Sequence, residues 1–221
     1  MITQEVFQFL ADLKENNHKD WFTENKPTYQ KHHQTVKELF TQIQDELNKT
    51  DQIEGHKIYR IYRDVRFSKD KTPYKTWFSG YFSRLKPALR GGYYFHLEDG
   101  KCMIGGGFYA PNKDDLKRIR DEFTFGDQEI RGIIEDPTFK KYFGTLEGDG
   151  VKTAPKGYDK NDPAIELIRK KQFYAMRFFS NEEVLKDNFV EEVVKTFIAL
   201  RPFFDYMSNV LTTDLNGESI I

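Results

Sequence analysis

Apolar residues recur in two rhythms along the chain, and the change of rhythm divides it. After Thr3, a helix N-cap type, Val6, Phe9, Leu10 and Leu13 fall on one face at helical spacing, and Asn16-Asn17 ends the run. A short turn carrying Trp21 and Phe22 leads to Pro27, a residue suited to a first helical turn. A longer helix is predicted from there to about Lys49, with Tyr29, Val36, Phe40, Ile43 and Leu47 as its buried stripe. From Lys57 the period drops to two. Ile61, Val65 and Phe67 point one way, and Arg60, Tyr62, Asp64 and Arg66 the other. Further strands are predicted at roughly 76–84, 92–98 and 102–109, with a hairpin at Leu97-Glu98-Asp99-Gly100-Lys101.

Asn112 caps a helix that has Asp114 and Asp115 in its first turn and Leu116, Ile119 and Phe123 inside. Short helices follow near 127–135 and 137–142. Residues 144–161 form a long polar loop, read as a mobile surface segment or as a lid in which Lys156 and Tyr158 close over a ligand. Pro163 opens a helix to about Lys170, Phe173 to Phe179 reads as a strand, and Ser180-Asn181-Glu182-Glu183 is a capping box that starts the last helix. Leu185, Phe189, Val193, Phe197 and Leu200 line that helix, which Pro202 interrupts or kinks. The expected fold is α+β: an antiparallel or mixed sheet of about four to six strands packed with N-terminal and C-terminal helices. One domain is expected over 1–221, with N-terminal helices in 1–50, the sheet in 57–110, and helices plus one further strand in 111–221.

Composition adds a core type and a compartment. Aromatic residues make up 15% of the 221 positions, so rings fill a core that apolar residues at 38% would otherwise fill thinly. No segment approaches the ~20 apolar residues of a membrane helix. No basic region followed by an apolar run marks the N-terminus, and the single Cys102 can form no internal disulfide, which together point to the reducing cytoplasm. Net charge is −1, yet residues 57–90 hold ten Lys/Arg against two acids. Such a balance argues against indiscriminate nucleic-acid coating and for a focused anion site.

That basic block is the candidate site. Arg60 and Arg66 on one strand face offer two planar forks of donors suited to phosphate or carboxylate. Lys71, Tyr74 and Lys75 on the following loop complete the grip, Tyr74 by a hydrogen bond or by stacking. Asp64 orients an arginine, or acts as a general base if its pKa is raised. Arg63 falls on the apolar side, where a guanidinium needs partners, and reads as a structural tie to an acid or a helix C-terminus, or as a cleft residue turned by a bulge. The alternative for the whole block is a salt-bridge ladder on a half-exposed strand.

Three further signals carry less. Gly105-Gly106-Gly107 lacks the Gly-Lys-Ser/Thr ending of a phosphate loop and reads as close backbone approach or a bulge. His96 alternates with Tyr94 and Glu98 and reads as a solvated or hydrogen-bonded strand histidine, or one that shares a cleft with Arg66. Arg177 is another candidate cleft cation. The five histidines and the cysteine show no metal spacing, so no metal and no cofactor is expected.

The run Arg60-x-x-Arg63-Asp64-x-Arg66-Phe67-x-x-x-Lys71-x-x-Tyr74 resembles the signature of a widespread bacterial and fungal family of conserved hypothetical proteins, a domain of unknown function. Asn16-Asn17, Trp21-Phe22, Asn25, Tyr29, Gly105-Gly106-Gly107, Pro111, Pro155-Lys156-Gly157-Tyr158 and Asp162-Pro163 fit the same family. The resemblance covers nearly the whole chain and implies no activity. Three expectations therefore stand side by side: a pocket for a small anionic ligand, with turnover an open question; an interaction module whose basic-aromatic patch meets a nucleic acid or an acidic protein; and a motif that only staples the fold.

Overall fold

The computed structural model describes all residues 1–221. Nine helices and five strands alternate in blocks, and the strands form one antiparallel sheet in the order β1-β2-β3-β4-β5, an α+β fold. The N-terminal helices are α1 (Gln4–Glu15), α2 (Lys19–Glu24) and α3 (Lys26–Leu47). Val6, Phe9, Leu10 and Leu13 of α1 are buried, as their spacing predicts. The stretch around Trp21 is a helix rather than a turn. His18, not a usual capping residue, supplies the cap by accepting from the Trp21 amide at 3.4 Å.

The strands are β1 (Ile53–Ile58), β2 (Trp77–Arg84), β3 (Gly92–Glu98), β4 (Cys102–Phe108) and β5 (Phe173–Phe179). β3 and β4 are joined by the tight turn Asp99-Gly100, closed by Lys101 N–H donating to Glu98 O at 3.1 Å, with Gly100 at φ +70°. The strand expected from Lys57 onward is displaced. β1 lies upstream, and residues 60–76 leave the ladder except for a single antiparallel bridge between Tyr62 and Tyr74.

Residues 83 onward add α4 (Lys113–Phe125), α5 (Gln128–Glu135), α6 (Pro137–Phe143), α7 (Ile165–Ile168), α8 (Asn181–Val184) and α9 (Phe189–Thr212). Asn112 caps α4 by accepting from both Asp114 and Asp115 amides. The capping box at Ser180 and Glu183 is formed, but it starts the single-turn α8 instead of the last helix. Pro202 does not interrupt α9. The loop at 144–161 is docked: Glu147 bridges Tyr174, Gly150 bridges Lys170, and the Tyr158 hydroxyl donates to Asp121 of α4 at 2.8 Å. That hydroxyl is no free lid group, and burial beside the Asp121 carboxylate pushes its pKa up to about 12.

Contacts gather the chain into two compact units: Met1–Phe82 with Tyr94–Ile104 and Phe178–Lys195, and Ser83–Tyr93 with Gly105–Arg177 and Thr196–Ile221. In the first, Phe40 stacks on Phe82 at 4.9 Å and meets Phe95 edge-on at 5.2 Å. In the second, Tyr93 packs against Phe197 and Phe204 at 4.7 and 5.0 Å. The three glycines of β4 are there for close approach. A Cβ on Gly105 would lie 2.0 Å from Ala175 O, on Gly106 2.4 Å from Gly92 O, and on Gly107 2.2 Å from Phe173 O.

Candidate functional site

The basic motif occupies the excursion between β1 and β2, and its own side chains shape it. Asp64 accepts from the Arg66 amide at 3.3 Å, and Asp70 accepts from the Thr72 amide at 2.9 Å. These two turns give the backbone a local alternative to a ladder, and Pro73 has no N–H to offer one. That is why an alternating pattern produced no strand. Ile61 is buried, but Phe67, expected on the same face, is 97% exposed at the tip.

The predicted site residues are placed as follows. Arg66 is 77% exposed and grips the Asp64 carboxylate with two donors at 2.9 and 2.6 Å. Its guanidinium holds Asp64 below the ordinary carboxylate range. Arg63 does not lie on an apolar strand face. It is 23% exposed, and one guanidinium nitrogen donates to Asp70 Oδ2 at 2.5 Å, to Thr72 O at 3.2 Å and to Thr72 Oγ1. Hydrogen bonds from the Thr72 amide, Arg63 and the Thr72 hydroxyl bring Asp70 down to about 2. Lys71 donates to Val65 O at 2.8 Å. Tyr74 is buried and stacks on Phe22 at 4.0 Å, while Asn17 clamps its backbone by accepting from the amide at 3.1 Å and donating to the carbonyl at 2.9 Å.

Arg60 and Lys75 differ from these. The Lys75 amide donates to Ile61 O at 2.8 Å, which fixes its backbone, and Arg60 is exposed. Lys75 lies over the Tyr59 ring at 5.3 Å, and its pKa is lowered by burial and then by the charge of Arg60. Asp64 feels the Arg60 charge, but its oxygens are committed to Arg66.

Tyr59 opens onto a second group that the sequence indicated only as an alternation. Its amide donates to Ser79 O at 2.8 Å, which sets Tyr59 beside Ser79 on one face of the sheet. Trp77, Ser79 and Tyr81 of β2 share that face by alternation, and Tyr81 lies 5.7 Å from Tyr59. On β3, Tyr94, His96 and Glu98 form a chain: Tyr94 Oη to His96 Nδ1 at 3.1 Å, and His96 Nε2 to Glu98 Oε2 at 3.0 Å. Trp77 stacks on the His96 ring at 5.5 Å. His96 is 6% exposed, and burial lowers its pKa against the opposing pull of Glu98. Its bonding partners are Tyr94 and Glu98, and Arg66 is not among them. Glu98 also lines a cavity of about 310 Å³ with Thr76, Asp99 and residues of α1 that include Asp12 and Glu15.

Two other candidates are otherwise engaged. Arg177 donates to Thr196 Oγ1 at 3.0 Å and lies over the Tyr142 ring at 5.0 Å. Cys102 is buried, bonds to Glu98 O at 3.1 Å, and has a thiol that burial pushes up to about 11. No group of three or more His, Cys, Asp or Glu is arranged to hold a metal ion, and no helix is long and apolar enough to cross a membrane.

The class so defined is an antiparallel α+β protein with a self-closed basic loop beside an aromatic sheet face. The chain belongs to the family of conserved hypothetical proteins DUF2461, whose family model matches residues 5–206. No curated protein and no solved structure matches it.

Proposed function

We propose that the protein binds a small phosphate- or carboxylate-bearing ligand at Arg60 and Lys75, with Tyr59 beneath it. One observation carries this reading. Lys75 lies over the Tyr59 ring, and burial first and then the charge of the exposed Arg60 lower its pKa. An anion placed between the two cations relieves that repulsion and gains charge-assisted hydrogen bonds. Arg66, Asp64 and Lys71 then act one step back. Asp64 orients Arg66, and Lys71 fixes the loop backbone through Val65 O. Tyr74 supports the loop from the core instead of touching the ligand.

The test is a thermal-shift titration with inorganic phosphate, a nucleoside monophosphate and citrate, repeated on Arg60→Gln/Lys75→Gln. A ligand at ~100 times its dissociation constant adds about 2.7 kcal/mol of stability, a clear rise in Tm. A rise with one anion that vanishes in the double variant supports the site. No rise with any anion removes it.

A second reading rests on Phe67. An aromatic ring exposed at a loop tip, with Arg66 lying 5.9 Å from its centroid, is a contact suited to a macromolecular partner, an acidic protein or a single-stranded nucleic acid. That reading predicts a salt-dependent affinity lost in Phe67→Ala, measured with a labelled oligonucleotide and with an acidic peptide.

A further inference from the structure

From the chain on β3 we infer that Tyr94, His96 and Glu98 form a proton-accepting relay, in which the Tyr94 phenol takes a proton from a ligand at the sheet face. The direction follows from the bonds. The Glu98 carboxylate only accepts, so the 3.0 Å contact puts the imidazole proton on Nε2. Neutral His96 then has Nδ1 free to accept from the Tyr94 hydroxyl at 3.1 Å. In the transfer, the ligand proton moves to Tyr94 Oη as the phenol proton moves to His96 Nδ1. The resulting imidazolium faces the Glu98 carboxylate, so charge balances at every step. Burial raises the Tyr94 pKa and keeps the phenol protonated at rest, and a side-chain hydrogen bond with Ser79 pulls the other way, as a donor to a developing phenolate does.

Three observations separate this from an ordinary strand histidine. Both ring nitrogens are bonded in one direction along a single strand. The central ring is buried and fixed by Trp77, while its two ends reach different surroundings. Tyr94 is half-buried and close enough to Tyr59 to feel its charge, and Glu98 lines the cavity beside α1, a route by which the proton returns to water. The titratable groups facing the relay are Lys101 on the hairpin, the Tyr59 phenol and, around the cavity at Glu98, Asp99 with Asp12, Lys14 and Glu15 of α1. The ligand class, a phosphate- or carboxylate-bearing compound with an acidic proton, rests on the anion reading above. The relay itself does not.

An activated phenol reveals itself to an electrophile. Benzenesulfonyl fluoride is the probe: the Tyr94 O–S bond forms, the S–F bond breaks, fluoride leaves and His96 takes the proton. Labelling is followed by peptide mass spectrometry. Tyr94 is expected to react on the order of a hundredfold faster than Tyr59 or Tyr81, the scale of general base assistance. The rate is expected to fall to theirs in His96→Gln and in Glu98→Gln, the second variant altering only a partly exposed end of the chain. It is also expected to drop in acid with an inflection below the ordinary histidine range. Equal rates for the three tyrosines, or a Tyr94 rate unchanged in folded Glu98→Gln, would overturn the relay. The anionic 4-carboxy reagent separates the two readings. If it gains nothing over the neutral reagent while Tyr94 remains fast, the relay is supported and the anion site is lost.

Discussion

Arginines do opposite work in two regions of the molecule. In the unit built around α4 and α9 they reach far along the chain. Arg118 donates to Thr213 O and Asp214 O, Arg120 to Ile168 O and Lys170 O, and Arg90 to Leu211 O and the Asp115 carboxylate. Those carbonyls lie in or just beyond the last turns of α7 and α9, where four acceptors have no partner within the helix. In the 60–75 loop the cations close on near neighbours: Arg63 on Asp70 and Thr72, Arg66 on Asp64, Lys71 on Val65 O. The same guanidinium is fold glue when its partner is distant and loop shape when its partner is near. The difference lies in how much chain each bond closes.

The comparison can be broken most severely at the loop's base. Tyr74→Ala removes the ring stacked on Phe22, and a loss of about 3–5 kcal/mol is expected in denaturant unfolding. A small loss would mean that the loop is not anchored through the core. Next, Arg118→Ala strips two carbonyls at the end of α9 and strands Glu122, and about 2 kcal/mol is expected from lost bonds to a charged donor. Inside the loop, Arg63→Ala is expected to cost about 1 kcal/mol and the exposed Arg66→Ala less than that. Denaturation midpoints in the reverse order would remove the distinction between the two.

The smallest effect per residue is on pH. All five histidines belong to the unit that holds the loop, and burial lowers the pKa of His32, His33, His56 and His96. Depressed in the folded state, they bind protons later than in the unfolded chain. Their contribution to stability is therefore full above about pH 6.5 and is lost as pH falls toward their folded pKa values. A Tm that drops between about pH 7 and 5, and drops less in His96→Gln, is the expected result.

The helices and strands with a sustained period were legible in the sequence. Phe9, Leu10 and Leu13 of α1 are buried as their spacing predicts, and the strand expected at 92–98 is β3. The loop misled because its alternation of apolar and charged residues is that of a strand, while Asp64 and Asp70 turn the backbone onto their own side chains. Tyr74 looked like a ligand residue because its neighbours are cations, and nothing local announces that Phe22 and Asn17, more than fifty residues upstream, claim it. The pairing of Tyr59 with Lys75 and of Trp77 with His96 depends on cross-strand register, which one strand's sequence does not contain.

The Tyr62–Tyr74 bridge has a practical corollary. Between those two positions the interior is closed by bonds within 63–73, and Asn17 and Phe22 touch only its base. Such a segment is expected to be portable. Spliced onto a hairpin of another protein that offers an asparagine and a flat ring at the stem, residues 62–74 are expected to keep the bonds Arg63–Asp70, Arg66–Asp64 and Lys71–Val65 O that shape them here.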